Sequence, residues 1–194
     1  MHESILVSVS VQPGEILFWL SPFRRGVRVY CRTGLPLSRV LVEQFGLEPD
    51  YIEKRVRTVF INGCPVDNLE SAILSDGDEL ALAGAMPGLV GICMGRNSPV
   101  AGFRRDITFK GGESEQRDGR ILLKLFNNVG EEAGPLLLAR GVLLSGAELR
   151  TLVGRVRADG HCPLAVTLAG QASRLSDLEG LREDLEWELR VAEI

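Results

Sequence analysis

The chain has 194 residues, 45% of them hydrophobic and 25% charged, the balance of an ordinary globular protein rather than a disordered or fibrous one. Its formal net charge is -4, with the acidic surplus in the second half and neither half basic overall, so general nucleic-acid binding, which depends on clustered Lys and Arg, has no compositional support. The length admits one large core or two small ones.

In chain order, residues 15–21 are apolar and rich in strand formers, and Pro22 ends them. After Arg24, Arg25 and Gly26 a second run, 27–32, alternates Val27, Val29 and Cys31 with Arg28, Tyr30 and Arg32, the period of a half-buried strand. The two runs are predicted to form a hairpin. Residues 34–38 break the strand. Ser38 is predicted to cap a helix that carries Val40, Leu41, Val42 and Phe45 and stops at Gly46. Pro49 and a charged stretch over 53–57 lead into a strand at 58–61. That strand ends on Asn62 and Gly63, a pair that tolerates the left-handed conformations of a tight hairpin turn. Val66 resumes briefly beyond it. Leu69, Ile73 and Leu74 read as a short packed connector, 75–78 as a polar turn, and 79–83 as a final strand. The order is β-β-α-β-β.

That order lays a helix across a mixed sheet, the β-grasp arrangement. The residues from Val59 through Asn62, Gly63 and Val66, then Leu69, then Asp76, Gly77, Asp78, Glu79, Leu80, Ala81 and Leu82 make it more specific. Together they resemble the sulfur-carrier group of ubiquitin-like proteins, the small subunit of molybdopterin synthase and the thiamine-pathway carrier. The resemblance covers residues 14–91. It implies an α+β, ubiquitin-like fold and a mobile C-terminal Gly-Gly whose carboxylate is adenylated and converted to a thiocarboxylate. The equivalent point here, 85–91, has no Gly-Gly, and the chain runs on to Val191, Ala192, Glu193 and Ile194. The carrier reaction would therefore need proteolysis to free Gly88 or Gly91.

Displacing the sequence against itself by 107 positions aligns 29–82 with 136–189. Gly34 meets Gly141, Ser38 meets Ser145, Val59 meets Val166, Gly63 meets Gly170 and Glu79 meets Glu186. Residues 121–126 and 135–140 read as a hairpin. Ser145 and Glu148 have the capping-box spacing that opens a helix through Val156, and 164–168 is the next strand. Leu175, Leu178, Leu181, Leu185 and Leu189 suit a helix, whereas Leu185, Trp187, Leu189 and Val191 alternate as in a strand; the repeat selects the strand. The expectation is a tandem β-grasp protein, with one domain over 1–110 and a diverged second over 111–194, joined by a Gly-rich polar linker.

Residues 86–95 carry small and apolar side chains where a linker would be polar. Packing between domains is one explanation. A docking surface built on Met86, Pro87, Gly88, Leu89 and Gly91 is the other. Arg24, Arg25, Arg28 and Arg32 fall on the first hairpin, and Arg28 with Arg32 on its outward face would suit an acidic partner or RNA, against the alternative of a solvated face. Cys93 has no base nearby in sequence, and the Gly88 to Gly91 spacing lacks the Lys-Ser/Thr ending of a phosphate loop. Asp76 with Asp78, and Glu131 with Glu132, read as turn residues. Cys31, Cys64, Cys93 and Cys162 form no C-x-x-C pair, with only His2 and His161 to assist, so no metal is assigned. No apolar run reaches the roughly 20 residues of a membrane span. Met1, His2, Glu3 and Ser4 lack the basic flank of a secretory signal, which makes the expected address cytoplasmic. The reading is a non-catalytic module that binds another protein, with no cofactor and no catalytic residue. The alternatives are an accessory or processed sulfur-carrier component and an RNA-binding module.

Overall fold

The computed structural model describes residues 4–112 and 114–194. Met1, His2 and Glu3, which enter the reading of the N-terminal flank and of possible ligands, lie outside the described residues, as does Glu113.

Strand β1 (Ile5–Val11) comes first, because Val7, Val9 and Val11, all buried, alternate with serines, the pattern of a strand with one face in a core. A 3₁₀ turn (Glu15–Trp19) and helix α1 (Ser21–Arg25) follow, then β2 (Val27–Thr33). The strand expected over 15–21 is thus replaced by helical turns. Ile16, Trp19 and Phe23 are buried at helical spacing while Leu17 and Phe18 stay exposed, and Pro22 sits in the first turn of α1, where its missing N–H costs nothing. Arg24 and Arg25 accordingly lie on α1 and not on a hairpin.

Helix α2 (Leu37–Arg39) runs on as a π-helical turn over Val40–Gln44. Its N-cap is Pro36, and Ser38 lies inside the first turn. Val40, Leu41 and Phe45 are buried as the spacing predicts, and Gly46 ends the segment at φ +71°. Helix α3 (Pro49–Lys54), with Pro49 in its first turn, forms ahead of β3 and takes in the start of the charged stretch. Strands β3 (Thr58–Ile61) and β5 (Glu79–Ala83) stand where the sequence places them, and β4 (Cys64–Pro65) lies just ahead of Val66, where the chain is expected to resume.

Helix α4 (Gly88–Met94), a 3₁₀ turn (Ala101–Arg104), β6 (Arg117–Phe126) and α5 (Asn127–Arg140) come next. The strand expected over 135–140 is helix, because Val129, Ala133 and Leu137 recur every fourth residue and are all buried. The chain continues through β7 (Val142–Ser145), α6 (Gly146–Ala158), β8 (Ala165–Leu168), β9 (Gln171–Ser173), a 3₁₀ turn (Leu175–Gly180) and β10 (Glu186–Glu193). Among the described residues no helix is long and apolar enough to cross a membrane.

Two compact units form: a continuous one, Val29–Ala133, and a split one that joins Met1–Arg28 to Gly134–Ile194. They do not follow a division into 1–110 and 111–194, since β6 lies beyond residue 110 yet pairs with β5. The continuous unit has the strand order β4-β3-β5-β6-β2. β3 is antiparallel to β4 and β5, and β5 runs parallel to β6, with Leu80 opposite Leu123. Asn62 and Gly63 turn the β3–β4 hairpin at φ +50° and +76°. The Asn62 side chain locks that turn, donating to Asp78 Oδ1 and accepting from the Glu79 N–H, each at 2.8 Å.

The split unit has the order β7-β10-β1-β8-β9. Here β1 and β10 are the parallel pair, with Val7 opposite Leu189, while β8 is antiparallel to β1 and β7 to β10. The expected capping box opens α6: Ser145 Oγ accepts from the Glu148 N–H at 3.3 Å, and Ser145 N–H donates to Glu148 Oε2 at 2.8 Å. Leu149, Leu152, Val153 and Val156 form its buried face. Trp187, Leu189 and Val191 alternate into the core from β10. Each unit combines a sheet with helices, compatible with the α+β class.

The 107-residue displacement carries β3 onto β8 and β4 onto the start of β9. It also carries Asn62 and Gly63 onto Ala169 and Gly170, which are likewise left-handed at φ +50° and +80°. It carries 39–44 onto the start of α6 and β5 onto β10 as well, but it fails at the first strand and in the sheet order. Residues 29–33 fall on helical 136–140, and β5 neighbours β3 whereas β10 is separated from β8 by β1.

Candidate interaction surface

Parallel neighbours such as β5 and β6 cannot be joined by a tight turn and require a long crossover. Residues 84–116 supply it. At its start Gly84 is buried and held on both sides: its N–H donates to Asn127 Oδ1 at 2.8 Å and its carbonyl accepts from Thr58 Oγ1 at 3.2 Å. Pro87 then stands at the N-cap of α4, and Gly88 enters the helix at φ +80°. Gly91 is buried so close to the chain that a Cβ there would collide with the Met86 carbonyl.

Two buried arginines fix the crossover. The Arg104 side chain is 2% exposed. It donates from Nε to the Cys93 carbonyl (2.6 Å), from Nη2 to the Gly95 carbonyl (3.1 Å) and from Nη1 to Thr108 Oγ1 (2.9 Å), and it grips Asp67 with both Nη atoms at 3.0 and 2.5 Å. Arg96 donates to the carbonyls of Ile52 (3.2 Å) and Val56 (3.0 Å) and to Glu53 Oε2 (3.3 Å). Burial pulls its guanidinium below the ordinary value, and Glu53 opposes that pull. Charge-assisted bonds to carbonyls and to a carboxylate on both oxygens are the strong ones. The backbone of α4 is thereby held without any apolar contact from its outward side chains.

Those side chains point to solvent. Leu89 is 78% exposed, Val90 70%, Ile92 54% and Phe103 89%. Burying one such group is worth about 1.5–3 kcal/mol, so a segment this firmly held forfeits a substantial gain by leaving four outside. Large exposed apolar patches are a feature of interaction surfaces.

Of the residues singled out in the sequence, Pro87, Gly88 and Leu89 are exposed, Met86 is half-buried and Gly91 is buried. Arg28 and Arg32 occupy the outward face of β2 as the alternation predicts. Arg28 Nε lies 3.3 Å from Glu186 Oε1. Arg32 is tied through its backbone, its N–H donating to Gln44 Oε1 at 2.6 Å and its carbonyl accepting from Gln44 Nε2 at 3.1 Å. Arg28 belongs to the split unit, and Arg32 to the continuous unit that holds 86–91. Sequence reasoning missed Val90, Ile92 and Phe103 as surface groups and Arg96 and Arg104 as anchors. The apolar run over 89–94, broken only by Gly91, was the one signal available for the first two.

The thiols stand apart. Cys31 is buried, and that burial, helped by Asp76 and Asp78, pushes its thiol up to about 11. Cys93 is half-buried with Sγ 3.5 Å from the Val100 carbonyl, and Cys162 is exposed. The His161 ring stacks on Phe18 with centroids 3.5 Å apart, and its Nδ1 is 3.6 Å from Glu15. Among the described residues no group of three or more His, Cys, Asp and Glu side chains is arranged to hold a metal ion. Comparison with models of known protein families, with curated proteins and with solved structures finds no match.

Proposed function

We propose that this chain is a protein-interaction module whose docking surface is the crossover helix α4 with Phe103. The observation that carries the proposal is the pairing of firm anchorage by Arg104 with four large apolar side chains left in water. The continuous unit is read as a β-grasp domain. Its central parallel pair, the β3–β4 hairpin and the helix at 37–44 support that reading. The split unit is read as its diverged counterpart, on the left-handed turn shared by Asn62–Gly63 and Ala169–Gly170. A sulfur-carrier-like ancestor fits this fold, and a cytoplasmic address goes with it.

Two observations weigh against a carrier released at Gly88 or Gly91. Both backbone groups of Gly84 are already bonded, and Gly91 is packed into its own turn, whereas a carrier tail must be free to enter an activating enzyme. Against RNA, Arg28 stands beside Glu186.

The test is a photo-crosslinking residue at position 89 in the cells that make the protein. A discrete protein adduct is expected, and it should disappear when Phe103→Asp is added. Failure to obtain any adduct overturns the proposal. An intact mass near half that of the chain would favour the carrier reading instead.

A further inference from the structure

The continuous unit carries a groove of about 720 Å³ between the 37–44 helix, α3 and the loop at 67–70, a volume within the range of occupied binding sites. Its lining is apolar at Val42, Ile52 and Leu69 and acidic at Glu43, Glu53 and Glu70. Arg39 holds Glu43 and Arg96 holds Glu53, while Glu70 forms no ion pair among the described residues. Ser38 Oγ and Arg96 Nε in its walls lack partners but are closed to solvent, so neither is available to a small polar ligand. The groove therefore fits a protein segment with an apolar face and a basic flank.

The same unit presents such a segment. The crossover exposes Leu89, Val90, Ile92 and Phe103, and the stretch 84–112 contains a single acid, Asp106, beside the exposed Arg105 and Lys110. Arg105 and Lys110 form no ion pair among the described residues. Apolar side chains meet an apolar floor, and unpaired bases meet an unpaired acid.

We infer that the groove receives α4 of a second copy, so that the chain self-associates head to tail. This rests on reading α4 as a docking surface and names its partner. A contact between two different patches is heterologous: each copy keeps one free α4 and one free groove, and association either closes a ring or continues with concentration. Burying the apolar groups supplies affinity, and the Glu70–Arg105 approach supplies register.

Sedimentation velocity from micromolar to submillimolar protein tests the inference with full-length chains. The average mass of the wild type should rise with concentration. Leu89→Glu and Glu70→Arg, both at exposed positions, should keep the wild-type circular dichroism and melting point. Each should weaken self-association about tenfold or more, a difference of roughly 1.4 kcal/mol. Mixing the two variants is the decisive arm, because each lacks a different half of the contact: the mixture should form a one-to-one dimer and stop there. Adding Arg105→Glu to Glu70→Arg should restore growth. A wild type that stays monomeric, or a mixture that forms no dimer, overturns the inference, and so does a two-fold dimer through α4 alone. If a monomeric wild type still gives an adduct with another protein from position 89, the docking reading survives without self-association; if no adduct forms either, both fall.

Discussion

The two units place a parallel strand pair in the middle of a five-strand order, but they obtain that pair by different routes. In the continuous unit the crossover between β5 and β6 is a dedicated segment with its own helix, and the four largest apolar exposures of that unit cluster on it. In the split unit the pair is β1 with β10, brought from distant parts of the sequence, and no crossover is reserved for it. The sheet satisfies the same hydrogen-bonding demand either way. Only one route leaves behind a surplus stretch of chain, and that stretch is where a recognition surface has room to form.

The largest effect expected is in the split core. Trp187 is buried on β10, with its indole N–H donating to the Arg182 carbonyl at 3.2 Å. Trp187→Ala should cost about 3–5 kcal/mol. Hydrogen exchange should then accelerate in β1, β7, β8 and β10 while β3, β5 and β6 keep their protection; equal loss in both sets would break the distinction between the units.

Next comes Arg104→Ala, which leaves Asp67 and two carbonyls without their donor. The Asp67 side chain is itself 37% exposed, so the cost is about 1–3 kcal/mol for each buried group left without its donor, and here the loss should appear as cleavage within 84–112 under limited proteolysis, before any other site. Arg104→Lys should not rescue it, because an ammonium cannot span both Asp67 oxygens and the carbonyls at once.

The paired turns give a smaller and opposite-signed test. Asn62→Ala removes two hydrogen bonds and places Ala in a left-handed conformation that costs it roughly 1–2 kcal/mol. Ala169 already occupies that conformation, so Ala169→Asn should raise stability by up to about 1 kcal/mol in a thermal or urea melt. A loss at both sites would mean that the turns are not equivalent.

The smallest effect concerns acid. Arg55 donates to Glu132, with Nε at 3.1 Å from Oε2, and this bond holds the Glu132 carboxyl below the ordinary glutamate range. A carboxyl held low in the folded state contributes stability at neutral pH that is lost as pH falls through that lowered value. The decline of the melting temperature on acidification should therefore be slightly shallower in Glu132→Gln than in the wild type.

Sequence periodicity was a good guide wherever one face of an element decides its conformation. Val27, Val29 and Cys31 enter the core from β2 as their alternation requires, and Ser145 with Glu148 opens α6 through backbone bonds local to that turn. The alternation of Val7, Val9 and Val11 carries the same information. Segments 15–21 and 135–140 went astray because short apolar runs suit strand and helix alike. There the arbiter was burial at positions three and four apart, which only packing reveals. At the candidate surface, the small and apolar character of 86–95 coincides with the stretch on which Leu89, Val90 and Ile92 are exposed. The anchors were not legible, since nothing in the order of residues distinguishes an arginine that will be buried against carbonyls from one that will be solvated.

The parallel pairing of β1 with β10 bears on how the protein is made. Their partners, Ile5 and Trp187 among them, are separated by about 180 residues. At the pace of synthesis, roughly 5–20 residues per second, β1 waits roughly ten to forty seconds after leaving the ribosome before its parallel neighbour exists. Until β8 emerges this valine-rich strand has both edges open, and from then until β10 emerges it has one, the kind of template to which a stray chain adds. The continuous unit can close meanwhile, so nascent chains halted before residue 186 would carry one finished unit and one adhesive ribbon, and a chaperone that shields extended segments would find its client there.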